Sequence, residues 1–288
     1  MKHKTIGIIG LGRVGMPVAS AYLKAGYEVY GIDVDDRCKG QFETMGGVLK
    51  LTPEALADQV GTVLILVLND DQALEVAYGE NGVLNSNNNF TLICMSTINR
   101  SSLEKIAQKC RDQGIGFIDC PFTGGPARIP EGNLTLIAAG DPTVIESARP
   151  VLRCIGNINL VGEVPGLGQA VKHCNQLLVG VTHAATMEVI ALSRKLGLDT
   201  GLVCKIVGEG IAGSDYFKLL SEAILKGTPS PGGLGQMCKD VSIVKNTADA
   251  VALPALVISA AATYFRRAEN KGMQQLEGAD LIEVVEGN

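Results

Sequence analysis

The chain has 288 residues, 46% hydrophobic and 19% charged, a balance that supports a buried core in one large or two ordinary domains and argues against disorder. Its formal net charge is −5 and its longest basic run is Arg266-Arg267, so a phosphate-binding stripe for nucleic acid is excluded. Eight cysteines without a CxxC pair and three histidines without ligand spacing argue against a disulfide scaffold or a metal centre, and fit reduced thiols in the cytoplasm.

In chain order, His3 reads as a solvated terminal residue and TIGIIG as the first strand. Glycines 7, 10, 12 and 15 break up the apolar start, so no signal peptide is expected. The apolar runs VGTVLILVL (60–68) and AVALPALVISAAA (250–262) fall short of the ~18 residues that argue for a membrane span, and a soluble protein is expected.

Directly after the first strand, GIIGLGRVG places Gly10, Gly12 and Gly15 in G-x-G-x-x-G spacing and opens the helical pattern VGMPVASAYLKAG. Glycines so spaced are also selected by a tight turn or close helix packing. The second strand, EVYGID, ends at Asp33. An acid about 20 residues beyond the glycines can accept ribose hydroxyls while a pyrophosphate rests on the helix N-terminus. Strand, glycines, helix, strand and acid in that order predict a dinucleotide site formed by Gly10, Leu11, Gly12, Arg13, Val14, Gly15 and Asp33. Because Asp35 and Asp36 follow and Arg37 is the first cation, a 2′-phosphate would meet three carboxylates, and NAD is expected over NADP.

Further strands are read at TVLILVL, TLICMS and GFIDCP, with helical patterns between them and a polar loop at NSNNNF. The alternation requires right-handed crossovers and predicts a doubly wound, mainly parallel sheet with helices on both faces. This α/β Rossmann domain is assigned to residues 1–163.

From Pro165 onward the strand signal stops. Apolar residues at Val171, Cys174, Leu178, Val181, Ala185, Val189, Leu192 and Leu196 recur every three or four positions, which predicts one helix over 167–196 with these residues as its buried stripe. At ~1.5 Å per residue it would extend ~45 Å and join the two domains. Helical patterns follow at 199–208, 214–226, 233–250, 254–271 and 279–286, so residues 164–288 read as an all-α domain.

Oxidation of an alcohol by a nicotinamide cofactor needs a proton acceptor. His183 lies about three turns beyond Lys172 on the long helix, whereas Lys172 opens that helix after a glycine-rich turn and shares a face with Asn175 and Gln176. An ammonium stripped of water beside a cofactor can titrate towards neutrality, as a base requires; the plain alternative is a snorkelling lysine at a domain edge. On the expected stripe, Lys172 and Asn175 border the buried side.

The segment GLGQAVKHCNQ resembles the G-x-G-x-x-x-K-x-x-N motif of the β-hydroxyacid dehydrogenases, the group that includes 3-hydroxyisobutyrate dehydrogenase and tartronate semialdehyde reductase and shares its fold with 6-phosphogluconate dehydrogenase. IGIIGLGRVGMPVA, MSTI (95–98), DCPFTGGPARIPEGNLT (119–135), MCKD (237–240) and KGMQQLEGADLIEVV agree with that family in order and spacing, over nearly the whole chain. The resemblance implies that Lys172 is the catalytic acid/base, that Asn175 and Gln176 meet the substrate, and that Thr123, Gly124 and Gly125 receive its acid group. It also implies cofactor contacts from Leu68, Asn69, Ser96, Thr97 and Lys239. Ser96 and Thr97 could otherwise cap a helix, and Lys239 could be solvated.

Three departures bear on substrate choice. Thr123 stands where the family commonly has serine, Gln176 where it has a second asparagine, and Arg128 where it has glycine. A solvated loop arginine is one reading of Arg128; a second cation for an anionic or strongly polar substrate is the other.

The expected activity is an NAD-dependent interconversion of a small 3-hydroxy acid, such as 3-hydroxyisobutyrate, glycerate, threonate or a sulfonate analogue, with its semialdehyde or 3-oxo acid. The family further implies an oligomer, a homodimer or homotetramer, while the composition points to the cytoplasm and to no nucleic-acid, membrane or metal partner. Alternatives are an NAD-binding regulator with a silent site and an imine reductase of related fold, although imine reductases usually replace the lysine. Nucleotide-sugar dehydrogenases share the cofactor turn but are longer and use a catalytic cysteine.

Overall fold

The computed structural model describes residues 4–287; His3 lies outside them. The elements run β1 (Thr5–Ile9), α1 (Gly15–Lys24), β2 (Glu28–Ile32), α2 (Asp36–Thr44), β3 (Val48–Leu49), α3 (Pro53–Ala57), β4 (Thr62–Ile65), α4 (Asp70–Tyr78), β5 (Thr91–Cys94), α5 (Arg100–Asp112), β6 (Gly116–Asp119), β7 (Phe122–Thr123), β8 (Leu134–Gly140), α6 (Pro142–Leu152) and β9 (Gly156–Gly162). Helices follow: α7 (Leu167–Lys195), α8 (Thr200–Glu209), α9 (Asp215–Lys226), α10 (Leu234–Ala250), α11 (Leu256–Asn270) and α12 (Leu281–Glu286).

The nine-stranded sheet has the order β3-β2-β1-β4-β5-β6-β8-β7, with β9 paired to β8. From β3 through β6 all pairs are parallel; β8 then runs antiparallel to both β6 and β7. Side chains alternate between two layers, as the twofold period of a strand demands. Ile8, Leu64, Ile93 and Ile118 pack with Tyr22 of α1 and Leu152 of α6. Ile9, Val63, Ile65 and Leu92 face the other way, against Leu56 of α3 and Ile106 of α5. The doubly wound sheet is thereby covered on both faces.

The strands β8 and β9 were not among those read from the sequence. LTLIAAG ends in small residues of low strand preference, and GNINLVG carries asparagines on an exposed side, so neither shows the apolar run of the central strands. β3 and β7 are only two residues long.

The two compact units divide between Lys172 and His173, inside α7 and later than the 163/164 point of the sequence reading. The first turn of α7 belongs to the first unit because Asp119, at the end of β6, accepts hydrogen bonds from Gly166 and Gln169 N–H groups at 2.8 and 3.1 Å.

In the second unit, α8 and α9 begin at Asp199 and Ser214, whose side chains accept from the Leu202 and Phe217 N–H groups. Met187, Ile190, Leu220, Leu234, Val241 and Phe265 form its core. Among the described residues, α7 is the one helix long and apolar enough, by length and composition, to cross a membrane, and half of its most apolar stretch is buried.

The face that α7 buries differs from the expected one. Leu178, Leu192 and Leu196 are 66%, 59% and 63% exposed, while Gln169, Lys172, His173, Gln176 and His183 are buried. Periodicity identified residues that share a face but could not say which face is inside. Here the inward side is largely polar, and its side chains have partners: His173 Nδ1 lies 2.9 Å from Thr247 Oγ1, and His183 Nε2 lies 2.9 Å from the Gly278 carbonyl oxygen.

Candidate active site

In the parallel order found here, β1 and β4 are neighbours whose following helices leave on opposite faces, and open sheets of this kind bind ligands beyond the carboxyl ends of such strands. The glycine turn between β1 and α1 occupies that point. A Cβ on Gly15 would come 1.8 Å from the Gly10 carbonyl oxygen, so Gly15 is required for α1 to approach the strand. A Cβ on Gly12 would meet nothing within 4 Å. Packing therefore explains Gly15 but not Gly12, where the open space suits the close approach of a pyrophosphate. Arg13 and Val14 complete the turn, and Leu11 is fully buried beneath it.

Asp33 is tied to this turn. Its Oδ2 accepts from Leu11 N–H at 2.6 Å and its Oδ1 from Asp35 N–H at 2.8 Å. A carboxylate accepts about four hydrogen bonds, so capacity for a ribose diol remains. Arg37 points its guanidinium at Asp35, with Nη2 2.8 Å from Oδ2, and both groups lie on the surface. Leu68, 51% exposed, and Asn69 follow β4; the Asn69 side chain caps α4 by accepting from Gln72 N–H at 2.9 Å.

Ser96 is buried after β5, and its hydroxyl donates to the Val67 carbonyl at 2.8 Å. It is not a helix cap, because α5 begins only at Arg100, after Asn99. The loop is instead braced: Asn99 N–H donates to Asp70 Oδ1 at 3.0 Å, and Ile98 N–H donates to Gln169 Oε1 at 3.2 Å. Thr97 lies between these tethers.

Gln169 joins this loop to the lysine helix. Its Nε2 donates to the Ser96 carbonyl at 3.0 Å and to Asp119 Oδ1 at 3.3 Å. Asp119 is fully buried, and burial raises its carboxyl pKa to about 6 even though N–H donors from Gly166, Gln169 and Gly168 pull it down. As a carboxylate it sits against the positive end of α7. The glycines of GLG now have separate causes. Gly166 has φ +102°, while a Cβ on Gly168 would lie 2.8 Å from the Asp119 carboxyl carbon. Lys172 follows Gln169 by one turn and is only 8% exposed, which excludes the snorkelling alternative.

Gly124 and Gly125 follow β7 with φ of +119° and +73°, a pair of left-handed residues that only glycine adopts cheaply. They leave the backbone N–H groups of the loop uncovered by side chains, and Thr123 precedes them at the strand end. Arg128 closes the short 3₁₀ turn Pro126–Arg128; it is exposed, and its Cδ lies 3.0 Å from where a Gly124 Cβ would be. Its stem thus lies beside Gly124, whereas a Cβ on Gly125 would meet nothing within 4 Å.

In the second unit, Gln176 Nε2 donates to Asp240 Oδ2 at 2.6 Å, and Asn175 Nδ2 donates to Gln176 Oε1 at 2.8 Å. Lys239 Nζ lies 2.8 Å from Asp240 Oδ1, with its side chain 18% exposed, so it is not a solvated lysine. Sequence reasoning singled out neither Asp119, Gln169 nor Asp240, although all three stand inside the motifs quoted above. The available signal was an acid at a strand end followed by Cys-Pro.

Residues 5–166 match the NAD-binding domain of 6-phosphogluconate dehydrogenase, and residues 166–285 match the NAD-binding domain of NADP-dependent 3-hydroxyisobutyrate dehydrogenase. An L-threonate dehydrogenase of Cupriavidus necator is 31% identical, covering 99% of this chain and 97% of the relative. The mitochondrial 3-hydroxyisobutyrate dehydrogenase of Mus musculus is 30% identical over 99% of this chain and 88% of its own. The crystal structure of a 3-hydroxyisobutyrate dehydrogenase from Salmonella typhimurium superposes with a TM-score of 0.89 at 26% identity, covering 97% of this chain and 99% of that one.

Proposed function

The chain belongs to the β-hydroxyacid dehydrogenase family, and we propose that it oxidises a small 3-hydroxy acid to its semialdehyde or 3-oxo acid, reversibly, with NAD. The carrying observation is the placement of Lys172: a buried lysine one turn beyond a doubly anchored helix start, with Gln169 tying that start to the loop that holds Ser96 and Thr97.

A bound nicotinamide would supply the hydride acceptor. Gly10 to Gly15 would hold its pyrophosphate, Asp33 its adenosine ribose, and Leu68, Asn69, Ser96, Thr97 and Lys239 the remainder. Lys172 takes the proton of the substrate hydroxyl as the carbon gives up hydride, and returns it in reduction. Thr123 and the N–H groups around Gly124 and Gly125 receive the acid group, and Arg128 adds a cation at the rim. Asn175 orients the substrate beside Lys172.

NAD is preferred over NADP because Asp33, Asp35 and Asp36 crowd the ribose end, and Arg37 already pairs with Asp35. We assign the protein to the cytoplasm, where its eight free cysteines would stay reduced. A homodimer or homotetramer is proposed from the apolar residues exposed on α7 and α11.

The test is a panel of L-threonate, glycerate, 3-hydroxyisobutyrate and sulfonate analogues with NAD and NADP, followed at the nicotinamide absorbance band in both directions. Turnover of at least one acid, faster with NAD, is expected. Binding of NAD without turnover of any acid would mean a silent regulator, and equal rates with NADP would overturn the cofactor preference. For Arg128→Ala, an unchanged KM across anionic substrates would exclude the rim cation.

A further inference from the structure

The polar side chains beside Asn175 form a relay whose direction is set from one end. Asp240, 1% exposed in α10, accepts from Gln176 Nε2 at 2.6 Å. Lys239 Nζ forms an ion pair with the other Asp240 oxygen at 2.8 Å. An ionised carboxylate only accepts. Gln176 must therefore turn its NH₂ group towards Asp240 and its carbonyl away. That carbonyl accepts from Asn175 Nδ2 at 2.8 Å, which fixes the second amide as well. The edge of Asn175 facing away from Gln176 then carries Oδ1, a hydrogen-bond acceptor.

We propose that Gln176 is a positioning residue, oriented by Asp240, that locks Asn175 as an acceptor and so selects acids with a second hydroxyl next to the reacting one. The inference rests on the reading above, in which Lys172 removes the proton of the reacting hydroxyl. That hydroxyl has one proton, and in the oxidation it goes to Lys172 while hydride leaves the same carbon and C–O becomes C=O. It cannot also serve Asn175. An acceptor at Asn175 is satisfied only by a different donor, and on a small hydroxy acid that donor is a neighbouring hydroxyl. Polyhydroxy acids fit; a monohydroxy acid leaves the acceptor unpaired, which a desolvated site penalises. The family's asparagine at 176 is one methylene shorter, which changes its reach towards Asp240 by about a bond length.

Glycerate and 3-hydroxypropanoate differ only in that second hydroxyl. Wild-type protein with NAD is expected to favour glycerate by at least about tenfold in kcat/KM, the worth of one buried hydrogen bond. Gln176→Met keeps volume and removes the relay, so the ratio should collapse towards one, chiefly through KM for glycerate, with the NAD dissociation constant unchanged. Gln176→Asn should behave alike if the methionine variant fails to fold. Equal use of both acids by the wild type, or a wild-type ratio in the folded variant, would overturn the relay. Turnover of no hydroxy acid would instead sink the dehydrogenase reading on which it rests.

Discussion

The proposed base, Lys172, takes its position from other residues. Gly166 turns the chain, Asp119 collects the N–H groups of the helix start, and Gln169 spans from that carboxylate to the Ser96 carbonyl and the Ile98 N–H. The anchor tolerates little. Gly168→Ala would put a methyl group 2.8 Å from the Asp119 carboxyl, displacing either the carboxylate or the helix. Overpacking of that sort costs about 1–3 kcal/mol. Urea unfolding should show that loss, together with a drop in kcat larger than any rise in the NAD dissociation constant; wild-type kcat in this variant would mean that the anchor does not position Lys172. Lys172 and the glycines were legible in the sequence because their spacing is rigid. Asp119 and Gln169 were not, because their role depends on β6, the Ser96 loop and α7 meeting, and none of those meetings is local in sequence.

At the scale of elements, α7 shows what periodicity can and cannot tell. The repeat from Val171 to Leu196 gave the helix and its length, and Gly197, with φ +67°, marks its end. It could not give the inward face, because paired polar side chains can be buried as readily as leucines when each finds a partner. His183 is the clearest case. It is 1% exposed, 2.9 Å from Tyr216 Oη and from the Gly278 carbonyl, and burial lowers its pKa to about 4. The neutral ring is the folded form, so its contribution is present above the ordinary value of 6.5 and is lost as pH falls towards about 4. That window is worth on the order of 3 kcal/mol. Urea midpoints at neutral and acidic pH should therefore fall less steeply for His183→Gln, whose amide can still donate to Gly278, than for the wild type. Parallel falls would mean that His183 is not the acid-sensitive group.

For the whole molecule, the outward residues carry information that a single chain leaves unused. Leu178 and Leu192 on α7, with Leu256 and Val257 on α11, are 66%, 59%, 77% and 65% exposed. This exposed apolar surface is where the proposed oligomer would join its copies. Sedimentation should find a particle larger than one chain, and Leu178→Glu should shift it towards the monomer; a wild-type monomer at micromolar concentration would exclude the oligomer. The mainly parallel, doubly wound sheet, the glycine turn, the acid after β2 and the helical second unit all followed from patterns in the sequence. β8 and β9 did not, because their small and polar residues lack an apolar run.

The central claim is that Lys172 moves the substrate proton, and the most direct measurement is the turnover number of Lys172→Ala beside its affinity for NAD. With the best acid of the panel, kcat should fall by a factor of about 10²–10⁴, the usual contribution of a positioned acid/base, while the NAD dissociation constant stays within about twofold. A variant that keeps wild-type kcat would contradict the account.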